Sequence, residues 1–416
     1  MNSWRNRLRR NAVVVVFWAA AAITLLVMAS TGPVGWDAEG YRRTIETVRH
    51  GGDPYAADIA AQQAFHDHPV AGQHFPWDYL YSPMTLLLLR LLGQLPDKLL
   101  GTLYWLAVAA GLLFPIRAGY EMADAGERRW LRFVLPAVLF FPGLIADDAI
   151  LSGNVVYVLY GAVFAAAVPG WKRNRWLWYY AAVLVASVFK APLLALLAFP
   201  LLTGKRQWLP TAVTAGAGLF LFGIQARIWP ELFREYLQAV QLQFDRGHDF
   251  GFGPAGLLGK ILCYMGIPYS PSTTIFYLAF AAAVCVVLAV LWCRVQHGII
   301  DPGDWISMAM FCTLLLNPRI MKYDLAPFTV PMLLIGWRSL RGQCDIPDQM
   351  RARFRRNGAV VAGLAFLLVA NAITVAGLSW APVELMVLLA TFVLGARQLY
   401  QAERAESPLA VQASAA

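Results

Sequence analysis

Long uncharged, apolar stretches recur along the whole chain and dominate its pattern of hydrophobic and polar positions. The stretches 12–30, 99–116, 261–293 and 357–383 contain no acidic or basic residue over most or all of their length. At about 1.5 Å per helical residue, each approaches or exceeds a hydrocarbon core about 30 Å thick. The pattern therefore predicts an all-α integral membrane protein.

The composition supports the same class, because 59% of the residues are hydrophobic and only 14% are charged, which is too apolar for a soluble chain. The first stretch follows four arginines and resembles a signal peptide. Since the chain keeps returning to the bilayer, we expect an uncleaved first helix instead. A single polytopic membrane domain is predicted over 1–406, with a disordered tail at 407–416.

The basic clusters set the predicted topology, because Lys and Arg collect in cytoplasmic loops. The clusters at 128–132, 171–176, 205–206 and 338–356 are placed inside, with both termini. About twelve transmembrane helices result, at 12–30, 99–117, 132–146, 153–170, 176–189, 192–203, 208–228, 273–293, 305–316, 325–337, 357–378 and 384–397. The net charge of +9 then lies on a cytoplasmic rim beside anionic lipid, and no nucleic-acid partner is expected.

Three of the predicted helical pairs are hairpins whose tips point outward, around 147–154, Lys190 and 317–324. Lys190 precedes Ala191 and Pro192, and the proline ring disfavours a continuous helix there. The arms beside Lys190, of about 14 residues, would span only about 21 Å, so the tip stays within the outer leaflet. A lysine held there needs water or an anion. The sequence predicts a wet recess, lined by cations, that opens outward.

Two predicted outer loops, 31–98 and 230–272, are too long to be simple connectors. Within the first, the apolar stretch 81–96 is interrupted by Arg90 and is interpreted as an interfacial or re-entrant helix. The glycines of the second loop suit either a mobile lid or ordinary turns.

Asp37 follows the first predicted helix and is the leading candidate for chemistry. A carboxylate just outside the membrane, if partly desolvated, has the reach and basicity to take a proton from a substrate hydroxyl. The alternative is that Asp37 caps a short helix near Gly40. Tyr41 is one helical turn further on and can share its face, whereas Glu39 is interpreted as a solvated acid.

The other candidates are polar residues at the tips and in the first loop. Lys190 either meets an anion or extends toward the interface, and Arg319 and Lys322 either hold a phosphate or pair with Asp324 and lipid. Asn154, with Asp147 and Asp148, either positions a substrate hydroxyl or caps a helix. Asp53 and Tyr55 form a turn or touch a ligand. The histidines at 50, 66, 68 and 74 match no familiar ligand spacing, so no metal is expected.

The chain has no phosphate-cradling glycine loop, no dinucleotide-binding glycine motif and no serine elbow. These absences argue against nucleotide hydrolysis and against a sugar-nucleotide fold. A membrane enzyme that faces outward can still transfer a group if its donor is a lipid phosphate.

The order of short motifs resembles that of glycosyltransferase family 87, the polyprenol-phosphate-sugar-dependent enzymes of the GT-C class. The motifs are WDxxxY at 36–41, GGDPY at 51–55, YSP at 81–83, SGN at 152–154, FKAP at 189–192 followed by GKRxW, and NPRxxxYD at 317–324. The resemblance covers about 36–331. The family is typified by mannosyltransferases that extend phosphatidylinositol mannosides.

The resemblance implies a GT-C-type helical bundle in the plasma (inner) membrane and an inverting, metal-independent transfer. A hexose, typically mannose, moves from a polyprenyl-phosphate-sugar donor to a hydroxyl of a glycolipid or glycan acceptor on the extracytoplasmic face. Asp37 matches the proposed general base of the family, and no cofactor is expected. Lys190, Arg319 and Lys322 are our candidates for binding the donor phosphate. The candidates for substrate binding are Tyr41, Asp53, Tyr55, Tyr81, Asn154, Tyr323 and Asp324.

Two departures from the family pattern are visible in the sequence. Ser152 and Gly153 stand where members often have Gly-Gln, and the segment 322–324 stands where members often have a histidine. A transporter or lipid-linked-saccharide flippase is the main alternative function. Its expected intramembrane carboxylates are scarce here. A binding platform for envelope polymers, built from the outer loops, is the third.

Overall fold

The computed structural model describes residues 19, 23, 35–67, 79–128, 131, 152–203, 206–247, 251, 253–267, 271–343 and 381–401. Within these ranges the regular elements are all helices and no strand occurs. The helices are α1 (Trp36–Arg49), α2 (Pro54–Asp67), α3 (Pro83–Leu92), α4 (Asp97–Met122), α5 (Val156–Arg173), α6 (Leu177–Phe189), α7 (Ala198–Leu202), α8 (Trp208–Ile228), α9 (Pro230–Gly247), α10 (Pro254–Tyr264), α11 (Pro271–Gln296), α12 (Pro302–Leu315), α13 (Lys322–Leu325), α14 (Thr329–Gln343) and α15 (Ala381–Gln401). Two 3-10 helices, Ala191–Leu197 and Ala326–Phe328, precede α7 and α14.

Among the described residues, three helices are long and apolar enough to cross a membrane, judged by length and composition: α4, α8 and α11. Their large apolar side chains include many that are exposed, such as Leu106 on α4, Phe220 on α8 and Val286 on α11. Apolar side chains on the outside of a bundle suit a lipid environment. The chain is therefore a membrane protein. Except for residues 19 and 23, the predicted spans 12–30, 132–146 and 357–378 and the predicted tail lie outside the described residues.

The helix predicted at 192–203 differs most from the structure. Lys190 is extended (φ −135°, ψ 101°), and the chain then forms a 3-10 helix over Ala191–Leu197 before the single α-helical turn of α7. Pro192 stands in the first turn of this 3-10 helix, where its missing N–H group is tolerated. The helix predicted at 325–337 likewise begins with a short helix and a 3-10 turn before α14.

Helix α12 lies at the centre of the main core. All eleven side chains from Trp305 to Leu315 are buried. A helix that is apolar on every face is expected at the centre of a bundle. It packs against α14, α11, α7, α15 and the 3-10 helix Ala191–Leu197. Buried side chains of α5 and α6 belong to the same core.

Helices α4 and α5 approach each other closely at their backbones. A Cβ atom built on Gly111 would lie 2.3 Å from the Tyr157 carbonyl oxygen, and one built on Gly161 would lie 2.3 Å from the Gly111 Cα. Small residues at helix contacts allow such approaches in membranes. The pair fixes how α4 sits against α5, and the start of α5 carries part of the candidate active site.

A second, smaller core joins α1, α2 and α3 to one end of the bundle. Its buried members are Ile45, Val48, Tyr55, Tyr79, Tyr81, Leu86 and Leu89. Val155 before α5 and Phe189 at the end of α6 pack against it. The residues of the first predicted outer loop are therefore packed on the helix ends that carry Asn154 and Lys190.

At the other end of the bundle, Arg338 of α14 forms a bidentate ion pair with Glu127, at 2.8 and 2.9 Å. The same guanidinium donates to the carbonyl oxygens of Met122 and Gly303. A cavity of about 660 Å³ beside it has five acidic residues among the eleven that line it. None of the predicted site residues lines this cavity.

Candidate active site

The candidate active site is formed where the start of α1, the turn before α5, the end of α6 and the segment 317–324 meet. Helix α1 starts at Trp36, and Gly35 occupies its N-cap position in the left-handed conformation (φ 75°). Asp37 stands in the first helical turn. Gly35, and not Asp37, therefore has the N-cap position of α1.

Asp37 is joined to the turn before α5 by a direct hydrogen bond. The Asn154 Nδ2 atom donates to Asp37 Oδ2 at 2.9 Å. The Asn154 Oδ1 atom accepts from the Val156 N–H group, also at 2.9 Å. Asn154 therefore does two things at once, because one end of its amide caps the start of α5 and the other contacts the predicted base.

The turn that presents Asn154 depends on Gly153. Its φ of 67° favours glycine, and an added Cβ atom would lie 3.1 Å from the Ala38 Cβ atom of α1. The Tyr104 hydroxyl of α4 donates to the Gly153 carbonyl oxygen. The turn is thus held between α1 and α4, directly beside Asp37.

Two tyrosines continue the polar network from Asp37. The Tyr41 and Tyr81 hydroxyls lie 2.8 Å apart, and the Val155 N–H group donates to the Tyr41 hydroxyl at 3.3 Å. Burial raises the pKa of Tyr41 and of Tyr81 well above the ordinary value, and the Asp37 carboxylate adds to both increases. Both hydroxyls are therefore protonated at neutral pH.

Tyr81 is fixed by the first-loop residues that surround it. The Tyr55 hydroxyl, fully buried, donates to the Tyr81 carbonyl oxygen at 2.6 Å. The next residue, Ser82, donates its hydroxyl to the Val188 carbonyl oxygen of α6 at 2.7 Å. The Tyr81 ring packs edge-on against Phe189, with centroids 6.2 Å apart. Tyr81 therefore lies between the Asp37 side of the site and the Lys190 side.

Lys190 stands at the C-terminal end of α6 and is half-buried. Its ammonium donates to the Tyr323 hydroxyl at 2.9 Å and lies 4.2 Å from the centroid of the Tyr323 ring. The ring face attracts the cation and the hydroxyl accepts a hydrogen bond. This ammonium is a fixed positive charge near Tyr81.

The segment 317–324 is a compact turn organised around Asp324. Its carboxylate, 1% exposed, accepts from the Met321 N–H group at 2.9 Å, and the Arg319 N–H group donates to Asn317 Oδ1 at 3.2 Å. The charges of Lys190 and Arg319 both act on the Asp324 carboxyl. The Lys322 side chain lies outside the described part of the structure.

Asp53 lies away from this network. Its Oδ1 atom accepts from the Tyr55 N–H group at 2.8 Å, so it caps the start of α2. The Asp53 carboxyl interacts with the Glu235 carboxyl of α9. This contact, the burial of Glu235 and the Asp53 charge raise the pKa of Glu235 to about 7.

The described residues contain no group of three or more His, Cys, Asp or Glu side chains that could hold a metal ion. The His50 Nδ1–H group donates to the Glu46 carbonyl oxygen. The side chains of the other three histidines considered above, and Asp147 and Asp148, fall outside the described residues.

The sequence model of Glycosyltransferase family 87 matches residues 79–318 of this chain, more than half of its length. The chain belongs to glycosyltransferase family 87. No curated protein and no solved structure matches it.

Membership in family 87 makes the protein a membrane glycosyltransferase, with a sugar donor and an acceptor as its substrates. The matched residues include Tyr81, Asn154 and Lys190. Asp37 and Tyr41 precede the match, and Tyr323 and Asp324 follow it. The hydrogen bonds of Asn154 and Lys190 connect these outlying residues to the matched part of this glycosyltransferase.

Sequence reasoning did not single out several residues that shape this glycosyltransferase site. Tyr104 holds the turn at Gly153, and Gln225 of α8 accepts from the Met84 N–H group at the start of α3, at 2.8 Å. Gln225 is 1% exposed. A lone polar residue within an apolar helix was the available signal for both, because a buried polar group needs a partner.

Proposed function

We propose that the protein transfers a hexose, with mannose the expected sugar, from a polyprenyl-phosphate-sugar donor to a hydroxyl group. The acceptor is a glycolipid or glycan on the extracytoplasmic face of the plasma membrane. The observation that carries the proposal is the arrangement around Tyr81. A carboxylate, Asp37, is connected to Tyr81 through Asn154 and Tyr41. An ammonium, Lys190, directly follows Phe189, whose ring packs on Tyr81.

Asp37 is proposed as the general base. The acceptor oxygen forms a bond to the anomeric carbon while the bond from that carbon to the phosphate oxygen breaks on the opposite face. The hydroxyl proton goes to Asp37, and the bonding electrons leave with the polyprenyl phosphate. Attack from the opposite face gives inversion at the anomeric carbon. One carboxylate suffices because the phosphate leaves without protonation if cations hold its charge.

Lys190, with Arg319 and Lys322, is proposed to hold the donor phosphate. The negative charge of the phosphate rises by one unit as the sugar leaves it, so fixed positive charge stabilises the transition state more than the bound donor. The positions of Lys190 and of the Arg319 backbone, beside the Asp324 turn, support this role. The exposed leucines Leu87, Leu88 and Leu91 of α3 offer apolar surface near Tyr81 for a prenyl chain.

Tyr41, Tyr81, Asn154, Tyr323 and Asp324 were proposed from the sequence to bind substrate. Their places in the network support a role in the site for all five. Tyr55 supports Tyr81 through the backbone, and Asp53 acts at the α2–α9 contact. We therefore propose no direct substrate contact for Asp53 or Tyr55.

The test is sugar transfer by the purified protein in lipid nanodiscs. It is offered a panel of polyprenyl-phosphate sugars with an envelope glycolipid extract, and products are identified by mass. Asp37→Asn is expected to remain folded and to abolish transfer. Glu39→Gln is the matched control, because Glu39 lies in the same helical turn, is exposed and pairs with Arg42 at 2.7 Å. It is expected to transfer normally.

The possible outcomes test the base, the donor class and the type of activity one by one. If Asp37→Asn transfers sugar at the wild-type rate, Asp37 is not the base, while the donor class stands. If the wild-type protein uses no polyprenyl-phosphate sugar in the panel, the proposed donor class is wrong. Movement of a lipid-linked saccharide between leaflets without a transferred product would support the transporter alternative.

A further inference from the structure

The geometry points to Asn154 as the residue that positions the base, a role distinct from substrate binding, and this inference rests on the proposed function of Asp37. Asn154 is 4% exposed. Its Nδ2 atom donates to Asp37 Oδ2 at 2.9 Å. A buried amide next to a carboxylate orients that carboxylate, because the hydrogen bond is directional and a misplaced base loses rate steeply.

The orientation of the Asn154 amide is determined by its surroundings. Oxygen and nitrogen of an amide are assigned from the hydrogen bonds that they make. The Val156 N–H group donates to one end of the amide at 2.9 Å, so that end is the oxygen. The other end is then the NH₂ group, and it faces the Asp37 carboxylate. A flipped amide would lose both hydrogen bonds.

The backbone on both sides of Asn154 is also held. The Tyr104 hydroxyl donates to the Gly153 carbonyl oxygen, and the Val155 N–H group donates to the Tyr41 hydroxyl at 3.3 Å. Gly153 packs against Ala38, the residue after Asp37. The amide is therefore fixed relative to α1, the helix that carries the base. Such support from a second layer of residues is what a precisely placed catalytic group requires.

Replacing Asn154 by aspartate distinguishes a role in positioning Asp37 from a role in capping α5. Asn154→Asp keeps an oxygen that accepts from the Val156 N–H group, so the cap on α5 is retained. It replaces the donor to Asp37 by a second carboxylate. If Asn154 mattered only as a cap, Asn154→Asp would behave like the wild-type protein. If it positions Asp37, the new negative charge disfavours the ionised base.

The experiment is steady-state sugar transfer by the nanodisc protein over a range of pH, with donor and acceptor varied separately. For Asn154→Ala we expect kcat to fall about 10- to 100-fold while both KM values change less than about 3-fold. For Asn154→Asp we expect the acidic limb of the kcat/KM profile to move up by about 1 pH unit or more.

A swapped variant, Asp37→Asn with Asn154→Asp, controls for folding. We expect Asn154→Asp to lower the thermal stability, because it places two carboxylates side by side. The swapped variant restores one amide and one carboxylate, so this stability is expected to return. Activity is not expected to return, because the carboxylate then stands on the wrong residue.

Several results would overturn the inference. A rise in KM with unchanged kcat would make Asn154 a substrate-binding residue, and wild-type kinetics in both single variants would remove it from the site. An unmoved pH profile in Asn154→Asp would show that the two side chains do not interact during catalysis. If Asn154→Ala transfers sugar normally while Asp37→Asn is inactive, this inference is wrong and the proposed function stands. Absence of transfer by the wild-type protein overturns the proposed function and this inference together.

Discussion

The hydroxyls of Tyr41 and Tyr81 lie 2.8 Å apart and join α1 to the turn that precedes α3. The Tyr41 hydroxyl also accepts from the Val155 N–H group, so it connects three separate segments of the chain. The Tyr81 ring packs on Phe189, the residue before Lys190. The pair therefore links the Asp37 side of the candidate active site to the Lys190 side.

The Tyr41 hydroxyl bonds to both the Val155 N–H group and the Tyr81 hydroxyl. We therefore expect its removal to lower the free energy of unfolding more than removal of the Tyr81 hydroxyl does. Tyr41→Phe leaves the Val155 N–H group and the Tyr81 hydroxyl without this partner and is expected to cost about 1–3 kcal/mol of stability. Tyr81→Phe leaves the Tyr41 hydroxyl bonded to Val155 and should cost about 1 kcal/mol or less. Thermal unfolding of both variants in one detergent checks the order. An equal or reversed order would contradict the network.

Lys190→Met is expected to weaken donor use much more than folding. Losing a charge-assisted hydrogen bond to a phosphate corresponds to about 1.5–3 kcal/mol, or roughly a 10- to 100-fold fall in kcat/KM for the donor. The control is Lys172→Met, which removes a partly exposed lysine paired with Glu121 away from the candidate active site. Transfer assays with varied donor concentration measure both. Unchanged donor kinetics in Lys190→Met would exclude this lysine from the phosphate site.

Gly251 is expected to tolerate no side chain, because it packs on the segment that contains Asp324. Its φ is 68°, and an added Cβ atom would lie 2.4 Å from the Ile320 carbonyl oxygen. Gly251→Ala must therefore displace residue 320 or the loop itself, and we expect transfer to fall at least about 10-fold. Gly266→Ala is the matched control, since Gly266 has a φ of 76° but no atom near its Cβ position. Equal activity in the two variants would show that the contact with Ile320 is unimportant.

The contact between Asp53 and Glu235 predicts a stability that depends on pH. The pKa of Glu235 is raised from 4.5 to about 7 in the folded protein, so folding favours its protonated form. This contribution is fully present below about pH 4.5 and is lost as the pH rises through about 7. Above that pH the two carboxylates repel each other, and the nearby Glu231 adds to the repulsion while Arg234 opposes it.

Glu235→Gln keeps a hydrogen-bonding group and removes the titration. We expect this variant to unfold at a higher temperature than the wild-type protein at pH 8 and to lose the wild-type decline between pH 5 and pH 8. Glu231→Gln, an exposed position on the same helix, is the control and should keep most of that decline. Parallel wild-type and Glu235→Gln curves across this range would contradict the pairing.

The sequence by itself determined the class of the protein and the residues to consider. Apolar stretches long enough to cross a bilayer are a local property of the chain, and the structure has helices of matching length at Asp97–Met122, Trp208–Ile228 and Pro271–Gln296. Proline likewise acts locally, so the break after Lys190 was predictable. The family, predicted from the order of motifs, is confirmed by the match over 79–318.

Only the tertiary structure decided which of these residues meet. Asn154 was predicted either to cap a helix or to contact a substrate, and the structure shows it capping α5 while it donates to Asp37. Asp53, Tyr55 and Tyr81 were equal candidates in the sequence. In the structure Tyr55 supports the Tyr81 backbone, whereas Asp53 caps α2 away from the network. Such pairings depend on how distant helices pack, as the approach of Gly111 to Gly161 does. A hydropathy pattern records which face of a segment is apolar, but it does not record which partner that face meets.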